Sequence, residues 1–325
     1  MEHWSEYWNN PGVLNSFTEG EQGKGYQGTV TRTWQSLLSD LQPGSNILDI
    51  GSGNGGLAVL ALGVSEAENK NFKITATDAA KIDPVKQFAH QPNIAEKLKK
   101  ISFYGQTPTE DLQQFEDSSF DAVVSQFGFE YTNFEKSVPE IIRTLKKGGQ
   151  FGAVCHSSNS AIVDDCKAGY EFLDYLLTQT PIFPLTEVIL LLAEEALPQL
   201  GDEAFQDYKI YKVQRNSVLW CVQHLKTEFR GEGYAHWLED LEHRIKSVFD
   251  NLTNKRLGDI RRFLRFHYDQ LNNQKVRIKE QAQAALNETE IEQLKALFSQ
   301  NGLSLNAAQL SLEENVQGWL LTATK

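Results

Sequence analysis

ILDIGSGNGG, residues 47–56, decides the fold. Its first four residues are an apolar run broken only by Asp49, and glycines occupy positions 51, 53, 55 and 56. A short apolar run ending in glycines reads as a buried strand of a parallel sheet that turns into a helix. Glycine at 51, 53 and 55 lets the backbone turn sharply and approach a ligand with no side chain in the way. The small-residue helix from Gly55 to Leu62 then aims free amides and a partial positive charge into the same crevice. The segment also satisfies G-x-G-x-x-G through Gly51, Gly53 and Gly56, so a dinucleotide reading stands beside any other at this point.

Outward from this turn the elements alternate. Upstream, Val30, Trp34, Leu37, Leu38 and Leu41 recur at helical spacing until Pro43 and Gly44 end the helix. Downstream, FKITATD (72–78) is a second strand, and a helical stretch over 85–99 leads to a third, KISFYG (100–105). FDAVVSQFGF (120–129) is a fourth strand. PEIIRTLKKGGQFGAVCH (139–156) gives a helix, a glycine turn and a fifth strand. Such alternation implies a parallel sheet with right-handed crossovers. It stops at 157–287, where helical periodicity dominates, as in Trp237, Leu238, Leu241, Ile245, Val248, Phe249 and Leu252. A helix over 288–300 ends near Gly302, and AAQLSLEE (307–314) and GWLLTATK (318–325) close the chain as two strands. The expected organisation is an α/β domain of residues 1–156 and 288–325, its first 30 residues a cover over the site. A helical lid or substrate insertion, 157–287, lies between strands five and six.

Three features bear on the ligand. Asp49 precedes the first glycine by two residues and places a carboxylate beneath the turn, where it suits an ammonium and would not help a pyrophosphate. The first strand begins late enough to leave room for an N-terminal cover. Asp78 ends the second strand in ITATD, where a carboxylate can accept both ribose hydroxyls, although dinucleotide proteins also use an acid there.

ILDIGSGNGG, ITATD, FDAVVSQFGFEY and the glycine turn of LKKGGQF together resemble the ordered motifs of class I S-adenosylmethionine-dependent methyltransferases, and most of all their small-molecule, quinone-biosynthesis-like group. The likeness covers 40–156 and 288–325. It implies a Rossmann-like sheet of seven strands, mostly parallel with the last antiparallel, and S-adenosylmethionine as cofactor. It further implies that Asp49, Gly51, Ser52, Gly53 and Gly55 line the methionine side, that Asp78 holds the ribose and that Ala79 lies near the adenine. Where the family often has an acid for the adenine amine, GQTPTEDL offers Gln106 and Thr107 instead. Lys147 replaces a frequent proline before strand five, which is a loop variation.

Methyl transfer from a sulfonium is an in-line displacement, so the protein mainly aligns the acceptor and excludes water. Ligands of open α/β sheets bind beyond the carboxyl ends of the strands. Strand four then directs Gln126 toward the cofactor and Phe127, Phe129, Glu130 and Tyr131 toward the crevice, and strand five delivers His156. Glu130 or His156 would serve as base and Tyr131 would orient an acceptor. Alternatively, Glu130 caps a helix and His156 bonds the backbone. Trp4, Tyr7, Trp8 and Tyr26 would close over the sulfonium with their ring faces, or bury themselves on the sheet. Apolar residues of 181–200 and 220–237 would wall the acceptor pocket.

Composition narrows the class. The chain has 325 residues, 40% hydrophobic and 23% charged, with 31 Lys and Arg against 43 Asp and Glu for a net charge of −12. Net negative charge repels phosphate backbones and argues against nucleic acid as partner. A basic stretch from Lys255 to Lys279 reads as a solvated helix face or as an anion site. No apolar stretch approaches a bilayer span, no secretory signal is visible, and Cys155, Cys166 and Cys221 form no metal or disulfide pattern, as expected for a cytoplasmic protein. His224, His236 and His243 share no metal spacing, so no metal is expected. The expected activity is methyl transfer to a small molecule. A nicotinamide-dependent oxidoreductase, an RNA methyltransferase and a non-catalytic cofactor-binding protein are the alternatives.

Overall fold

The computed structural model describes residues 1–10, 12–15, 28–253, 256–313 and 316–325. Its strands are β1 (Asn46–Ile50), β2 (Lys73–Thr77), β3 (Ser102–Tyr104), β4 (Phe120–Gln126), β5 (Leu145–His156), β6 (Asn306–Glu313) and β7 (Val316–Thr324). They make one sheet in the order β3-β2-β1-β4-β5-β7-β6. Pairings among β1 to β5 are parallel, while β7 runs antiparallel to both β5 and β6. The last strand alone is reversed, and the fold is the Rossmann-like one the motifs imply.

Helices cover both faces, which explains why Ile47, Leu48 and Ile50 of β1 are all apolar and buried. Ile47 packs with Trp34 and Leu38 of α2 (Gly28–Ser39) and Leu57 and Ala61 of α3 (Gly56–Ala67). Leu48 and Ile50 point the other way, to Val138 and Ile141 of α6 (Phe134–Thr144) and Leu294 and Phe298 of α13 (Glu288–Gln300). Successive residues of one strand thus enter opposite cores. Asn287 and Glu290 form a capping box at the start of α13, and Gly302 with φ of +85° follows its end.

Two elements differ from the sequence reading. The helical stretch over 85–99 is two helices, α4 (Pro84–Gln87) and α5 (Pro92–Leu98). Pro92 sits at the first position of the second, where its missing N–H costs nothing, and it would break a continuous helix. Strand five begins at Leu145, ahead of its glycines, because Leu145 already pairs with Phe120 and the register then shifts past the turn at Gly148.

The chain divides into two compact units, Met1–Val163 with Gln281–Lys325, and Asp164–Glu280. The sequence pattern places the junctions at 156/157 and 287/288. The units part instead within α7 (Ala161–Gln179) and α12 (Leu257–Ala284), because helical periodicity marks where a helix starts and stops and not where its contacts change. The second unit adds α8 (Ile182–Leu200), α9 (Asp202–Asp207), α10 (Lys209–Glu228) and α11 (Ala235–Asp250). It has its own core, in which Phe172, Ile189, Leu225, Trp237 and Leu241 are buried. A Cβ on Gly169 would fall 2.3 Å from the Trp237 ring, so close packing of α7 requires glycine there. Of the apolar residues proposed to wall a pocket, most serve this core, while Trp220 is 79% exposed. No single described helix is long and apolar enough to cross a membrane.

Candidate active site

The glycine turn and the end of β4 meet backbone on backbone. A Cβ on Gly51 would lie 2.8 Å from Cα of Gly128, and one on Gly128 would lie 2.9 Å from Cα of Gly51. Ser125 fastens this crossing: its hydroxyl donates to the Ile50 carbonyl at 2.8 Å and accepts the Phe129 amide at 2.9 Å. Phe127 beside it has φ of +55°, a left-handed conformation rare for a bulky residue. Such strain costs on the order of 1–3 kcal/mol and collects where a site is held in shape.

Beneath the turn lies Asp49, 1% exposed, with no side-chain partner for either carboxylate oxygen among the described residues and only the Ala58 amide nearby. Burial pushes its carboxyl well above the ordinary range, opposed by the Ala58 amide and reinforced by the charge of Asp78. A buried acid left open in this way is an unfilled demand for a donor or a cation. Asp78 is buried too, and burial raises it against the hydrogen bonds it accepts. Its oxygens take the amides of Gly53 and Ala80, each at 2.7 Å. Each oxygen keeps a second lone pair, so a diol has acceptors at the tip of β2.

The neighbouring loop walls the crevice. The Gln106 amide donates to the Ala80 carbonyl at 2.9 Å and the Thr107 amide to the Asp78 carbonyl at 2.8 Å. Half-buried Ala79 and exposed Gln106 lie on this wall. The Ser52 amide donates to the Thr77 carbonyl, which binds the glycine turn to β2. The amide oxygen of Gln126 accepts the indole N–H of Trp34 at 2.5 Å, and its buried amide nitrogen has no partner among the described residues. Phe129 is fully buried against Phe134 and Phe151 and belongs to the core.

The aromatic cover forms in part. Trp8 ends α1 (Glu2–Trp8), and its ring lies so near the turn that a Cβ on Gly53 would meet it at 2.4 Å. Trp8 meets Tyr7 edge to face, Tyr7 meets Trp4, and Trp4 meets Tyr131 with centroids 5.5 Å apart. The chain of rings thus runs from the glycine turn to the segment after β4. Tyr26 lies outside the described residues. Asn54, fully buried, holds this arrangement by donating to the carbonyls of Trp8 at 2.8 Å and Val13 at 2.7 Å.

Glu130 and His156 pair at the carboxyl ends of β4 and β5. Glu130 Oε1 accepts both the His156 amide at 2.9 Å and its ring Nδ1 at 2.7 Å, and the imidazole stacks on Phe127 with centroids 4.1 Å apart. Both residues are about 4% exposed. Burial and the charge of Glu130 hold the adjacent Cys155 thiol far above its usual range, so it stays a thiol. The sequence reading singled out neither Ser125, Asn54 nor Gly128. Ser125 was visible as a lone hydroxyl in an apolar strand. Asn54 and Gly128 carry no local signal, because their partners are distant in sequence: Trp8 and Val13 for Asn54, and Gly51 for Gly128.

The sheet order, the glycine turn and the two buried acids beside it agree with a methyltransferase domain of Rossmann-like fold. The donor set fits S-adenosylmethionine: one buried carboxylate suits its ammonium and a second its ribose diol. Residues 48–153 match the family described as "Methyltransferase domain". No curated protein matches the sequence. Among solved structures, the chain is similar to the [4+2]-cyclase SpnF at 14% identity over 100% of this chain and 93% of that one, with a TM-score of 0.43. It is similar to Burkholderia thailandensis 1,6-didemethyltoxoflavin-N1-methyltransferase at 10% identity over 91% and 77%, with a TM-score of 0.41. A chain of the complex between the Haloferax volcanii Trm112 methyltransferase activator and a methyltransferase is 24% identical over 39% of this chain, with a TM-score of 0.30, and the match spans 54% of its length.

Proposed function

We propose that this protein transfers a methyl group from S-adenosylmethionine to a small-molecule acceptor by in-line displacement. The observation that carries the cofactor side is Asp49, buried beneath the glycine turn with no side-chain partner for either oxygen among the described residues. When bound, the cofactor supplies the electrophilic methyl. The chain supplies position and dryness: Asp49 takes the ammonium, Asp78 the diol, and the rings of Trp4, Tyr7 and Trp8 exclude water.

A small acceptor is favoured over nucleic acid by charge. The basic stretch is largely neutralised within its own unit, where Arg261 pairs with Glu187 and Glu194, Arg262 with Asp259, Arg265 with Asp269 and Lys275 with Asp174. Lys279 lies over the Tyr170 ring. Paired cations leave little with which to replace the counterions of a phosphate backbone.

Calorimetric titration with S-adenosylhomocysteine and, in parallel, NAD tests the cofactor. Binding of the first alone is expected, weakened at least tenfold in Asp78→Asn. Tritium transfer from methyl-labelled S-adenosylmethionine into a protein-free metabolite extract, with total RNA as the competing acceptor, tests the rest. Label confined to RNA would refute the small-molecule reading, and NAD binding would refute the cofactor.

A further inference from the structure

We infer that Gln281 sets His156 as a proton acceptor, and that the acceptor molecule therefore carries a proton on its attacking atom, as a hydroxyl, enol or acidic N–H does. This rests on the methyltransferase reading above and extends it. Both ring nitrogens of His156 are engaged. Nδ1 faces Glu130 Oε1 at 2.7 Å, and Nε2 faces the side-chain nitrogen of Gln281 at 3.1 Å.

A carboxylate oxygen only accepts, so Nδ1 carries the proton. The Gln281 side-chain nitrogen only donates, so Nε2 presents a lone pair. The two contacts select one neutral tautomer between them, with Nε2 as the basic atom. Three further features hold the ring in that state. Glu130 Oε1 also accepts the His156 backbone N–H at 2.9 Å, which locks the carboxylate in register. Phe127, in its strained turn, stacks on the ring face. Beside the pair, the Cys155 thiol stays protonated against the Glu130 carboxylate, and no salt bridge from an arginine or lysine to Glu130 occurs among the described residues.

Such an arrangement costs buried polar groups and a left-handed phenylalanine. Gln281 is half-buried near the end of α12, so its amide is a replaceable partner. An acceptor X–H displaces it and donates to Nε2. As the X–C bond forms and the sulfonium S–C bond breaks, the X–H proton passes to Nε2. The resulting imidazolium is held by Glu130 and later returns its proton to water. His156 is the catalytic residue of this step, and Glu130 and Gln281 are positioning residues. A thiolate or free amine acceptor would need no such base.

Long-range proton–nitrogen correlation spectra of imidazole-labelled, ligand-free protein test this directly, with His156→Gln identifying the His156 signals among the seven histidines. The expected spectrum has a protonated Nδ1 and a bare Nε2. Gln281→Leu should leave Nδ1 protonated, because Glu130 still accepts from it, and should shift the Nε2 resonance as its donor is lost, while Gln281→Glu should place protons on both nitrogens. In the tritium assay on the metabolite extract, His156→Gln should lower the transfer rate by roughly 10²–10⁴-fold. Gln281→Leu should lower it about threefold to tenfold, with S-adenosylhomocysteine affinity within twofold of wild type for both. A proton on Nε2 of the wild-type ring would overturn the inference, as would a His156→Gln rate within threefold of wild type. These spectra need no cofactor and no turnover, so they decide the tautomer even where the transferase reading fails.

Discussion

Ionised Asp49 carries an electrostatic cost that a proton or a ligand's cation relieves. Its carboxyl is raised chiefly by burial, so the folded chain holds its proton more tightly than the unfolded chain does. The stability linked to that proton is full below about pH 4, the unfolded value, and is lost as pH rises through the folded value. Asp49→Asn removes the titration. In the ligand-free protein it should match wild type at acid pH and exceed it progressively toward pH 8, by about 1–3 kcal/mol, the order of one unsatisfied buried polar group. Denaturant melts across this range test the slope, and a difference that shrinks with rising pH contradicts the assignment. The ammonium of S-adenosylhomocysteine favours the ionised acid, so affinity for it should rise with pH over the same window in wild type and stay flat in the variant. Asp49 was legible in the sequence because its role follows from one strand and one turn. Gln281 was not, since its partner His156 is 125 positions away in the chain and nothing local marks a glutamine as a tautomer-setting group.

At the scale of elements, α1 and the glycine turn form one packed unit. Gly53 has φ of +51° and the Trp8 ring fills the space its side chain would need. Gly53→Ala must therefore bear both a left-handed backbone, on the order of 1–2 kcal/mol, and displacement of the ring. Trp8→Ala leaves the turn intact and removes only the cover. These two changes should separate kinetically. Trp8→Ala should raise the dissociation rate of S-adenosylhomocysteine about tenfold, near the ~1.4 kcal/mol reach of one aromatic contact, with little change in melting temperature. Gly53→Ala should lower the melting temperature as well. Stopped-flow displacement and thermal melts measure both, and equal dissociation rates for wild type and Trp8→Ala would remove Trp8 from the site. The sheet itself was readable because strands buried on both faces are continuous apolar runs. The split of 85–99 at Pro92 and the early start of β5 were not, because each depends on a neighbour: the register with Phe120 overrides the helical pattern that runs into Leu145.

The molecule as a whole consists of two units that do not share a hydrophobic core. The buried cluster of Phe172 through Leu271 lies wholly within Asp164–Glu280, and the two clusters that flank the sheet lie wholly outside it. Cooperativity in unfolding follows shared burial, so a chain with separate cores need not melt in a single transition. Every residue assigned to the cofactor belongs to the sheet unit. A ligand stabilises only the state it binds, by RT ln(1 + [L]/Kd), about 2.7 kcal/mol at a hundredfold excess over Kd. Spread over a unit of this size, that is a shift on the order of 5–10 °C. Differential scanning calorimetry should therefore resolve two transitions, and S-adenosylhomocysteine should raise one and leave the other in place. Asp78→Asn should abolish that shift without moving the second transition. A single transition that moves as a block would mean that the helical unit has no stability apart from the sheet, and that folding of the two is one event despite their separate cores.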